Sequence, residues 1–328
     1  MLVVEKGEPA QEASHAAGGM IAYCDPGLSP ELISLAAASA HMYPQFVLAL
    51  QEESGESADL RDQGTIAFFD RDETPGCNSA RLLPEQELTV VEPMLVLSGQ
   101  AYFLPECSVD PRGLGRALVK AAKHRGVDFV TGSTVTEVVV EGGCPAGVKT
   151  DHSFYPAEAV VNCAGAWASQ LKPVGVPTHP VKGQIVCVVP QPGLHHESPL
   201  VQHVIRTPDV YIIPRSDGRI LLGATVEDAG FDKRVTADAV QRLYQAAANA
   251  VPEIGQMRIH DAWAGLRPAS PDKLPIIGAT LLPGYFAASG HYRDGIMLAP
   301  ITAHLMTQLL TGNAIDLDLA PFSPLRFN

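Results

Sequence analysis

The sequence predicts an α/β fold in which a dinucleotide-type domain is interleaved with a second domain built on a mostly antiparallel sheet. Three observations carry that expectation. A helix over Pro111–Arg125 runs into β-like runs at Val127–Val130 and Thr134–Val140 and then Ala159–Asn162, an order that resembles the core of a dinucleotide-type α/β domain. From about Thr178 to Ile259, β-like runs are instead separated by short turns such as Arg215-Ser-Asp-Gly-Arg219, the pattern of hairpins. The length, 328 residues, is enough chain for two domains and a sizeable core.

The elements follow in order. Leu2–Val4 is a short apolar strand ending at Glu5, with Gly7 close behind. Pro30–Leu50 reads as a helix with Pro30 in its first turn and Ser29 as cap; Pro111–Arg125 repeats the signal with Asp110, and Thr236–Val251 starts at Thr236. Thr65–Phe69, Ile185–Val189, Val210–Ile213, Ile220–Leu222 and Tyr285–Ala288 read as further strands, and Asp294–Leu310 as a last helix. Asp70–Asn78 and Pro190–Ser198 are the expected exposed linkers.

Composition narrows the partners. The charge is 23 basic minus 36 acidic, or −13, with no Lys/Arg cluster, which argues against nucleic acid and anionic membranes and for a small-molecule ligand. No apolar run is expected to span a membrane, and the start MLVVEKGEPAQE has no leader pattern, so a cytoplasmic protein is expected. Six cysteines without a C-x-x-C pair suggest reduced thiols and no metal site. His195-His196 reads as a solvated loop pair.

Several stretches stand out, each with an ordinary alternative. Glu5 could accept ribose hydroxyls from a strand end, or simply end a strand. Gly113-Leu-Gly115 is excluded as a phosphate loop, because it lies within a helical pattern and lacks a third glycine. Ser14-His-Ala-Ala-Gly-Gly19-Met20 is a small-residue run that lets backbone approach an anion or flat ring, or a flexible turn. Val160-Val-Asn-Cys-Ala-Gly-Ala-Trp167 runs a strand into a tight turn at a place where ligands gather in doubly wound sheets, or it is a plain strand-to-helix turn. Arg267 and Arg293, in Gly265-Leu-Arg-Pro268 and Gly290-His-Tyr-Arg-Asp-Gly-Ile296, suit a carboxylate or an internal salt bridge. Alternation puts Tyr211 and Ile213 on one face and Ile212 on the other, with the Tyr211 hydroxyl bonded to a ligand or to backbone. No G-x-S-x-G, H-E-x-x-H or Walker lysine supports a hydrolase or NTPase.

Taken in order, these stretches resemble the FAD-dependent D-amino acid oxidase superfamily, most closely its thiamine-pathway glycine oxidase branch. The similarity runs from Leu2 to about Leu310 and also draws on Pro180-Val-Lys-Gly-Gln184, Gly223-Ala-Thr225 and Pro275-Ile-Ile-Gly278. It implies a Rossmann-like FAD-binding domain from 1–55, 108–177 and 260–328, and a substrate domain from 56–107 and 178–259. Glu5 would hold the ribose and Val135 the adenine end; Ser14, Gly18, Gly19 and Met20 would line the cofactor channel. Ala164 and Gly165 would pack on the cofactor, and Gly290, His291, Tyr292, Arg293, Asp294, Gly295 and Ile296 would face the isoalloxazine. Arg267 would bind the substrate carboxylate with Tyr211, and the Arg293 carbonyl would receive the amine.

The implied reaction is hydride transfer from the substrate Cα to FAD, with dioxygen taking the electrons and hydrogen peroxide released. An amino acid dehydrogenase with another acceptor is the alternative, as is a remnant that binds no FAD; a homo-oligomer is compatible with either activity. Two departures accompany the resemblance. The first strand and G-x-G-x-x-G turn are missing, as if the chain started about 30 residues late. Arg206 stands where such oxidases often carry an aromatic residue.

Overall fold

The computed structural model describes residues 1–69, 74–191 and 199–327; His195-His196 and parts of both expected linkers lie outside them. Its largest sheet has eight strands. Their order is Arg258–Ala269, His179–Val189, Ile220–Gly223, Tyr211–Pro214, Val204–Arg206, Thr65–Phe68, Ala101–Leu104 and Arg81–Leu83. Every neighbouring pair is antiparallel except Val204–Arg206 with Thr65–Phe68.

Alternation sorts this sheet's side chains as expected. Ile212 joins Val186, Leu222 and Ile205 in a core covered by helix Ala237–Ala250, whereas Ile213 joins Ile185, Leu221 and the half-buried Tyr211 on the opposite face. That helix is capped by Thr236, whose hydroxyl accepts the Ala239 N–H at 3.4 Å.

Smaller parallel pieces complete the fold. Leu2–Val4 pairs with Asp128–Val130, and Val160–Asn162 with Tyr285–Ser289. They pack near helices Pro30–Ser54, Pro111–His124 and Ala299–Thr311, which share a core of Leu35, Tyr43, Leu114, Leu298, Ile301 and Leu305. Helix Pro30–Ser54 is long and apolar enough to cross a membrane by length and composition, contrary to the sequence expectation. One stripe, Leu32, Leu35, Ala36, Ser39, Ala40, Tyr43, Val47 and Leu50, is buried in the core at helical spacing. Two polar members of the stripe tie down the loop before the last helix: Ser39 Oγ donates to the Met297 carbonyl at 2.6 Å, and the Tyr43 hydroxyl donates to that of Ile296.

Four local expectations are corrected. The last helix begins at Ala299, not Asp294, because Pro300 has no N–H and is accommodated in a first turn. Ser29 makes no side-chain cap bond; its hydroxyl meets the Glu31 carboxylate instead. Cys24 and Cys77 form a disulfide, Cα to Cα 4.9 Å across 53 residues, a pairing that linear spacing does not reveal. The Tyr211 hydroxyl, for which a backbone group was one expected partner, meets a side chain described below instead.

Leu305 is fully buried among these helices. Leu305→Ala should destabilise the fold by about 2–5 kcal/mol, read as a lower urea midpoint with an unchanged slope.

Candidate active site

A cavity of about 290 Å³ opens between the small-residue run after Leu2–Val4, the inner face of the large sheet and the loop after Tyr285–Ser289. Its first wall is Ala13, Ser14, Ala16, Ala17, Gly18, Gly19 and Met20. Gly19 has φ +77°, and a β-carbon there would stand 2.0 Å from the Val109 carbonyl; one on Gly18 would meet Ile213 at 2.8 Å. Gly19 therefore demands glycine, whereas at Gly18 only the tip of the Ile213 side chain would have to move, and the bare backbone of both forms the wall. The run is held from behind: Arg215 donates to the Gly18 carbonyl at 2.6 Å and Trp263 Nε1 to that of Ala16 at 3.1 Å.

The second wall is His291 to Met297, entered through Gly290 at φ +74°. Tyr292 takes φ +49°, a conformation costly for a side chain of its size, and is held there as its N–H donates to the Pro268 carbonyl at 2.9 Å. Burial holds the His291 imidazole down at about 4, so it is neutral at pH 7, with Nε2 3.0 Å from the Thr302 hydroxyl. Burial pushes the Asp294 carboxyl up to about 6, against the pull of Arg293. Cys163, exposed on the strand-to-turn segment, also lines the cavity.

Arg267 comes from the sheet. The pairing of His179–Val189 with Arg258–Ala269 sets Val181 opposite Arg267 and places Gly183 on the diagonal, where a β-carbon would lie 2.3 Å from the guanidinium. Arg267 Nη1 donates to the carbonyls of Thr225 and Lys182 at 3.0 and 3.3 Å, and it has no ion pair among the described residues. Burial lowers its proton affinity. The Thr225 backbone is itself held: its hydroxyl and Gln184 Nε2 both donate to Glu227, which pairs with buried Lys182 at 3.4 Å.

Tyr211 lines the same cavity, and its hydroxyl accepts from Arg293 Nη2 at 2.6 Å. Arg206 lies just behind on the neighbouring strand, opposite Tyr211, and is bound to Asp25 at 2.8 Å and Glu106 at 3.1 Å.

The fold thus brings together Ser14, Gly18, Gly19, Met20, Gly165, Tyr211, Arg267 and His291 to Ile296. Glu5, Val135, Ala164 and Gly290 do not line this cavity; Ala164 and Gly290 immediately precede lining residues. Glu5 sits at its strand end, its carboxylate accepting the Gly7 N–H at 3.0 Å, and Val135 begins a separate antiparallel strand. Gly113 and Gly115 lie within helix Pro111–His124, as their rejection required. Asp25, Gly183 and Thr225 are not among the expected site residues, although Gly183 and Thr225 lie in stretches that carry the resemblance; no local motif marks Asp25. A flat cleft walled by glycine and alanine backbone, with one unpaired guanidinium at its edge, fits the ring end of FAD with a carboxylate-bearing substrate beside it.

Comparison with known proteins agrees. The family described as DAO, FAD dependent oxidoreductase, matches residues 1–309. The chain is 34% identical to hydrogen cyanide synthase subunit HcnC of Pseudomonas aeruginosa, covering 97% of this chain and 79% of that one. It is 33% identical to the bifunctional protein ThiO/ThiG of Synechocystis, covering 97% of this chain and 49% of that one. The crystal structure of glycine oxidase from Geobacillus kaustophilus superposes with a TM-score of 0.89 at 31% identity, covering 98% of this chain and 90% of that one. With the cleft geometry, the match over nearly its whole length shows that the chain belongs to the DAO family of FAD-dependent oxidoreductases.

Proposed function

We propose that this protein oxidises glycine or a related small amino acid or secondary amine, with Arg267 as the carboxylate anchor. The observation that carries the reading is a half-buried guanidinium lining the cavity whose bonds, among the described residues, go only to backbone carbonyls. A carboxylate is the counter-charge that matches its planar fork and offsets its desolvation. Tyr211 supports the same reading: because its oxygen accepts from Arg293, its own hydrogen is free to donate to that carboxylate. The Arg293 backbone carbonyl receives the amine in this reading.

Bound FAD supplies the two-electron acceptor that converts the amino acid to an imino acid, and dioxygen as final acceptor gives hydrogen peroxide. Ser14, Gly18, Gly19, Met20 and Gly165 with the 290–296 loop would hold its ring, Ala164 would pack beside it, and Glu5 and Val135 would meet its adenosine end. The protein's contribution is position and electrostatics, since no side chain is needed as acid or base at the carbon. A second reading, a dehydrogenase with another acceptor, is supported by the relative named as a subunit of hydrogen cyanide synthase.

Arg267→Leu should lower kcat/KM by roughly 100-fold or more, and Tyr211→Phe by about tenfold, in a glycine or sarcosine oxidation assay. Gly183→Ala should approach the Arg267→Leu loss by displacing the guanidinium. Above about pH 6 ionised Asp294 shares the cavity with the bound carboxylate. Substrate affinity should therefore fall as pH rises through that value, and Asp294→Asn should remove the step. FAD titrated into the 328-residue chain should bind in the micromolar range or tighter; no binding would identify a remnant. Substrate-reduced protein mixed with air separates the two activities, rapid reoxidation marking an oxidase and slow reoxidation a dehydrogenase.

A further inference from the structure

Asp25 lines the cavity from the turn Cys24-Asp25-Pro26-Gly27, and both of its oxygens are engaged. Oδ1 accepts the Gly27 N–H at 2.8 Å; Oδ2 meets Arg206 Nη2 at 2.8 Å and Arg293 Nη2 at 4.0 Å. The turn is anchored by the Cys24–Cys77 disulfide and by the Cys24 N–H, which donates to Glu106 at 3.0 Å. Charges therefore alternate in a row: Glu106, Arg206, Asp25, Arg293. Arg206 is buried and keeps Glu106 as a second partner, but the Arg293 side chain is 42% exposed and, among the described residues, held only by Tyr211 and Asp25.

Without Asp25 the cavity would hold a second available cation beside Arg267. We propose that Asp25 is a positioning residue that keeps Arg293 on the Tyr211 hydroxyl and so makes the cavity selective for ligands with one carboxylate over those with two. The inference rests on Arg267 as carboxylate anchor. It adds the reason why Arg293, which lines the cavity beside Arg267, does not offer a second site to an anion.

The test is calorimetric titration of the FAD-loaded protein with acetate and with malonate. Asp25→Asn should shift the ratio of the two affinities toward malonate by about tenfold or more, and Asp25→Glu should restore the original ratio. If Asp25→Asn does not fold, Asp25→Ser, which can still accept the Gly27 N–H, makes the same comparison. An unchanged ratio in a folded, FAD-binding variant overturns the inference, as does original protein that binds neither acid. Because binding is read without turnover, the ratio shift supports the inference even if glycine and sarcosine are not oxidised.

Discussion

A guanidinium removed from water needs a counter-charge, and Arg267 has none from its own chain among the described residues. Much of the site exists to keep it there. The register of His179–Val189 against Arg258–Ala269 decides which face Arg267 occupies, and a slip of one residue would turn it away from the cavity. Gly183 clears the space the guanidinium fills, and the Lys182–Glu227 pair with Gln184 steadies the Thr225 segment whose carbonyl receives it. The large sheet is thus more than a platform: its pairing sets a half-buried guanidinium with no ion pair among the described residues against the cavity.

Several other charges near the cavity are arranged by contrast, although Arg215 behind the small-residue run has no ion pair among the described residues. Lys182, Arg206 and Arg293 each lie beside a carboxylate, while His291 is neutral at pH 7. In a low-dielectric cleft, each of these groups left uncompensated would compete with Arg267 for the same anion. Selectivity here comes as much from neutralising the competing cations as from supplying the useful one.

The facing walls carry a different requirement, close approach. Gly19 presses against Val109 and Pro111, Gly18 lies against Ile213, which itself lines the cavity, and both present bare backbone there. The same clearance recurs at Gly265, where a β-carbon would come within 2.4 Å of Ala16. A flat ring can enter because these contacts remove side chains from its path, and the helices behind, stapled by Ser39 and Tyr43, hold the second wall in place.

Periodicity was enough to read most of the architecture. Alternation at Tyr211, Ile212 and Ile213 told the two faces of a strand apart, and Pro30, Pro111 and Thr236 marked where helices start, because those signals act over a few residues of backbone. The small-residue run, the 290–296 loop and Arg267 were legible as residue types suited to a ring and a carboxylate. Cys24 with Cys77, Asp25 with Arg206 and Gly183 with Arg267 were not, since each pair is made by segments distant in the chain or by strand register. The sequence by itself determined the secondary elements and the chemistry on offer. Only the tertiary structure decided that Arg267 faces the cavity with no carboxylate beside it among the described residues, because charge pairing depends on distances that packing sets.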